Sequence, residues 1–119
     1  MNDILLIINA FHEIIEERQI ITQRQDNRIM ELRIRLTMID KSILEITEIF
    51  IFDLNKRKYS FQWMEENYDL KIRWDNAPHH RQISTFPHHK HILREDNVKE
   101  SEEPTVEEIL EIIRKEILK

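Results

Sequence analysis

Five of the six histidines in this 119-residue chain, His79, His80, His88, His89 and His91, lie within thirteen residues. The pattern repeats as Pro78-His79-His80 and Pro87-His88-His89, with Trp74-Asp75-Asn76-Ala77 before it and Lys90-His91 after it. Imidazole gives and takes protons near neutral pH, so a pair can deprotonate a ribose hydroxyl and protonate a leaving oxygen. In that chemistry all five histidines are acid/base candidates, and Asp75 orients one of them. Arg73, Arg81 and Lys90 would contact phosphate and stabilise the charge that grows on it. No metal or other cofactor is required. A second chemistry uses the same residue types: two or three imidazoles with Asp75 binding zinc or another divalent ion, although the spacing matches no zinc signature. A third role is a solvated, mildly basic connector. Adjacent histidines often point in opposite directions, and an Asx residue commonly ends a strand by bonding the backbone that follows.

The elements around this segment are legible from periodicity. Ile4, Ile7, Ile8, Phe11, Ile14 and Ile15 are spaced three and four apart, which predicts an amphipathic helix over residues 3–16. His12 falls beside that stripe as a hydrogen-bonded residue at the core margin. The period then changes to two. Met30 to Met38, Leu44 to Leu54, Tyr59 to Trp63 and Leu70 to Trp74 alternate apolar with polar residues, linked by turns at Asp40-Lys41, Asn55-Lys56 and Glu66-Asn67. Arg18 to Arg24 is a weaker fifth candidate. The expectation is an antiparallel meander of four to five strands over residues 18–75, one face buried and one wet. Residues 76–103, with Pro78 and Pro87, read as a His-rich loop, and loops of that length are usually functional or disordered. Val106, Ile109, Leu110, Ile113 and Ile117 restore the helical period over residues 105–118, with Thr105 and Glu108 at capping-box spacing. The fold class is therefore α+β: a meander packed against an N-terminal and a C-terminal helix, as a single domain over residues 1–119.

Composition narrows the chemistry. The chain has no cysteine, which excludes a disulfide framework, a thiolate zinc site and thiol nucleophiles. It has no glycine either, so no turn can rely on a residue that enters positive φ freely. From Lys71 to Arg94 five basic residues face one acid, whereas from Glu95 to Lys119 nine acids face four bases. An electropositive segment thus adjoins an acidic tail. The N-terminus has no basic leader and no small-residue cleavage site, and its apolar run is too short for a bilayer, so a cytoplasmic location is expected.

Several blocks resemble a known family. Tyr59-Ser60-Phe61-Gln62-Trp63, Arg73 to His80 (Arg-Trp-Asp-Asn-Ala-Pro-His-His), Thr85 to His91 (Thr-Phe-Pro-His-His-Lys-His) and Glu103-Pro104-Thr105 look like the TumE family. The resemblance runs from about Leu32 to the C-terminus. That family's first hairpin often reads Asp-Gly-Ser; this chain has Asp40-Lys41-Ser42, so the turn must take a conformation that a Cβ can bear. The resemblance implies the toxin component of a type II toxin–antitoxin pair, with a helix–turn–helix antitoxin as partner. It brings no reaction with it. RNA as the target, cleaved without a metal, rests on the histidines and on what small toxins usually attack. The alternatives are a non-catalytic module that docks a protein or nucleic acid, and a His-rich metal-binding protein. Pairing of two copies as a homodimer is compatible with all three.

Overall fold

The computed structural model describes the backbone of residues 2–119 and the side chains from Ile4 onward. Helix α1 covers Asn2–Ala10 and is followed by a 3-10 turn at His12–Ile14. Strands β1 (Ile15–Gln25), β2 (Ile29–Met38), β3 (Ile43–Ile51), β4 (Lys56–Met64), β5 (Leu70–Asp75), β6 (His89–Ile92) and β7 (Val98–Glu100) come next, and helix α2 (Val106–Ile117) ends the chain. All seven strands form one antiparallel sheet in sequence order, β1 to β7.

The α+β class and the two helices agree with the periodicity, but the sheet has seven strands instead of four to five. The first helix also ends early. Phe11 and Ile14 stay buried in the turn, while Ile15 begins β1 by pairing with Met38. The β-branched run from Ile14 suits a pleated sheet, and pairing with β2 overrides the helical spacing. Strand β1 hid its period because its register shifts twice, between Ile15 and Glu17 and between Ile20 and Thr22. Each such bulge swaps the faces of the residues beyond it. The segment expected to be an irregular loop contains β6 and β7, each too short for a clear alternation signal.

The core lies between one sheet face and the helices. Leu32, Ile34, Leu36, Leu44, Ile46, Phe61, Trp63 and Trp74 pack against Ile8, Ile109, Leu110 and Ile113. Burying an aliphatic side chain of this size contributes roughly 1.5–3 kcal/mol. Thr105 accepts from the Glu108 amide while the Glu108 carboxylate accepts from the Thr105 amide, which completes the expected capping box. The other sheet face is polar. Arg35 pairs there with Glu45 at 2.5 Å, and Arg24 and Arg33 share Glu31. No helix among the described residues is long and apolar enough to cross a membrane.

Candidate functional site

The five clustered histidines do not share one site. Each doublet divides: His79 is exposed while His80 turns inward in the loop, and His88, just ahead of β6, faces Tyr59 while His89 faces Asp75. His89 and His91 lie two apart on β6, opposite Asp75 and Arg73 of β5, and all four face away from the helices. His80, from the segment between β5 and β6, closes over them. The ring centroids lie 4.7 Å (His80–His89), 4.9 Å (His89–His91) and 5.7 Å (His80–His91) apart, all edge-on. His89 and His91 are buried and His80 is half-buried. Their nearest ring nitrogens all lie within 4.8 Å of one another, so these three residues could hold a metal ion.

Asp75 is the hub of this cluster. Its Oδ1 accepts from the Ala77 amide at 2.9 Å, which is the Asx turn that ends β5, and lies 3.0 Å from His89 Nε2. Its Oδ2 accepts from Arg73 Nε at 3.1 Å and lies 3.5 Å from His91 Nε2. Arg73 also forms a fork with Glu95, with both contacts at 2.5 Å. Burial works against the Arg73 charge, but Glu95 and Asp75 overcompensate and raise its pKa. The same hydrogen bond from Arg73 lowers that of Glu95. With two carboxylates bound to it, Arg73 serves the cluster's architecture.

His88 turns the other way. Its ring stacks at 5.8 Å on Tyr59, and its Nδ1 hydrogen-bonds the Tyr59 hydroxyl at 2.9 Å. Both line an open cleft of about 720 Å³ at the end of the sheet, with Arg57, Lys58, Asp75 and Asn76 among the other lining residues. Burial pushes the Tyr59 phenol well above its usual range, so the hydroxyl stays neutral. Arg57 lies 4.3 Å over the Tyr59 ring and is gripped by Glu48 and Glu103. Asn76 ties β5 to β4 by donating to the Arg57 carbonyl and accepting from the Tyr59 amide.

The remaining candidates lie apart. His79 is exposed in the loop, and Arg81 is exposed beside Phe86, 5.7 Å from its ring. Lys90 sits between His89 and His91 but pairs with Trp74 and faces the helix side. Sequence reasoning missed Tyr59 and Arg57 as site residues, because their stripe signals only a core. The alternation His89-Lys90-His91-Ile92 is a four-residue strand signal that the surrounding prolines masked.

The blocks Asp75–His80 and Phe86–His91 thus meet at one end of the sheet, His88 on one side and the three-imidazole cluster on the other. A family model described as Toxin TumE matches residues 4–118. The chain belongs to the TumE family. No curated protein and no solved structure matches it. Within this TumE-family chain, Asp75 is the residue that lines the cleft and also anchors the buried cluster.

Proposed function

We propose that this TumE-family protein is a toxin that cleaves RNA, with His88 as its acid/base residue in the open cleft. The observation that carries the proposal is the His88–Tyr59 pair. Of the five clustered imidazoles, His88 lines the cleft, and the 2.9 Å hydrogen bond holds its Nδ1. A phenolic hydroxyl donates or accepts equally well. With Nδ1–H donating to Tyr59, Nε2 carries a lone pair and takes the proton of a ribose 2′-hydroxyl. The oxygen then attacks phosphorus, the 5′-oxygen leaves with that proton returned from His88, and a 2′,3′-cyclic phosphate forms. Lys58 supplies positive charge along the cleft wall, while Arg57, held by Glu48 and Glu103, backs the Tyr59 ring. Every step uses groups of this chain and of the RNA. The buried His89 and His91, 2% and 4% exposed, are too enclosed to reach a phosphodiester and serve the architecture of the site.

A toxin needs a neutralising partner, and a helix–turn–helix antitoxin in a type II pair is the partner proposed here. The experiment is growth inhibition on induced expression. His88→Ala is expected to abolish toxicity while the protein stays folded. His12→Ala, which alters an exposed imidazole outside the cleft, is expected to leave it intact. Full toxicity of a folded His88→Ala protein would remove His88 from the chemistry. RNA binding without turnover, weakening steeply as salt rises, would instead favour a docking module.

A further inference from the structure

The buried imidazoles have a hydrogen-bonding pattern that proton transfer in the cleft does not explain. His89 Nδ1 lies 2.9 Å from the Pro87 carbonyl oxygen and His91 Nδ1 lies 2.8 Å from the Glu95 carbonyl oxygen. A carbonyl only accepts, so each Nδ1 carries the ring proton. In a neutral ring Nε2 then presents a lone pair. Both Nε2 atoms face the Asp75 carboxylate, at 3.0 Å and 3.5 Å, and a carboxylate also only accepts. His80 adds a third ring to the same point, with the three ligand nitrogens within 4.8 Å.

Lone pairs that converge on a carboxylate in a buried site are met either by a proton on a ring or by a bound cation. Protonating both rings would set two cations with centroids 4.9 Å apart against one carboxylate, itself already bonded to Arg73. That arrangement is costly where burial removes solvent screening. One proton, shared between His89 and Asp75 at 3.0 Å, engages that ring alone, whereas one divalent cation engages all three gathered rings at once. Imidazoles that donate Nδ1–H to a backbone carbonyl and present Nε2 inward are arranged as metal-bound histidines are.

We propose that His80, His89, His91 and Asp75 form a site for a divalent transition cation of the zinc class. Three nitrogens and one carboxylate oxygen suit zinc, and suit magnesium or calcium poorly. Zinc–nitrogen bonds of about 2.0–2.1 Å place tetrahedral ligand atoms about 3.3 Å apart, so the three imidazole nitrogens, within 4.8 Å of one another, close by about 1.5 Å at most on binding. The ligands come from β5, β6 and the intervening loop. The ion thereby clamps the loop to the sheet, and this loop carries His88 into the cleft. The proposal stands independently of RNA cleavage.

The test is zinc titration of the full-length protein after chelation and dialysis, with no RNA present. Expected results are one ion per chain, a rise in melting temperature, and visible absorption typical of four-coordinate cobalt when Co²⁺ replaces zinc. Magnesium and calcium should produce neither change. His80→Ala, at the half-buried position, should weaken zinc binding at least tenfold, as should Asp75→Asn. His12→Ala should bind as the parent does. His88→Ala should also keep parental zinc affinity, so loss of toxicity in that variant is separable from loss of the metal. A parent protein that binds no zinc would overturn the site. So would a His80→Ala protein that is folded and binds zinc unchanged, which would place the ion elsewhere.

Discussion

His88 and His89 are neighbours in sequence, yet one faces Tyr59 and the other Asp75. The two rings go to opposite sides: His88 joins Tyr59 of the helix-covered face at the cleft, and His89 joins the rings held by carbonyls on the face turned away from the helices. Tyr59 is a positioning residue in this account, because its hydroxyl fixes His88 and does not touch the reacting phosphate. Tyr59→Phe keeps the aromatic stack and removes that hydrogen bond. RNA turnover should fall between about tenfold and a hundredfold in kcat, with KM little changed, since the ring loses its orienting partner while the cleft is kept. A folded variant with unchanged kcat would show that the hydroxyl is only structural. The histidines themselves were legible as candidates from composition. Which of them meet was not, because that depends on the strand β6 placing His89 and His91 on one face.

At the scale of the elements, the price of having no glycine is visible in the turns. Lys41, Asn55, Tyr68 and Leu93 all take positive φ, at 74°, 47°, 72° and 65°. A residue with a Cβ pays about 1–2 kcal/mol for that conformation, less for Asn. The β2–β3 turn therefore keeps the left-handed geometry that a glycine would take, with Lys41 bearing the strain. Asp40 compensates by accepting from the Ser42 amide and hydroxyl. Replacing Lys41 by Gly should stabilise the protein by about 0.5–1 kcal/mol, after the entropy glycine adds to the unfolded chain is deducted. Thermal unfolding checks this, and a lower melting temperature would show that the Lys41–Glu16 ion pair at 2.8 Å outweighs the backbone strain. Helix α2 and strands β2 to β5 were legible because long alternations and a capping box agree. Strand β1 was not, since two bulges erase its period, and β6 and β7 are short enough to vanish among prolines.

At the scale of the molecule, the sheet separates two environments. Helices α1 and α2 seal one face with an apolar core, while the other is polar and ends in the imidazole cluster. The seventh strand matters for the site, because β7 pairs with β6 and thereby makes His89 and His91 interior residues. Family membership in TumE makes the chain a toxin-family protein, and the cleft beside Tyr59 is where the proposed chemistry takes place. The most direct measurement incubates the purified protein with end-labelled RNA and with the same sequence carrying 2′-deoxyribose. Cleavage of the RNA to 2′,3′-cyclic phosphate ends, none of the deoxy strand, and a loss of about a hundredfold or more in His88→Ala are predicted. Cutting of both strands alike, or an undiminished rate in His88→Ala, would contradict the assignment of His88 as the proton carrier.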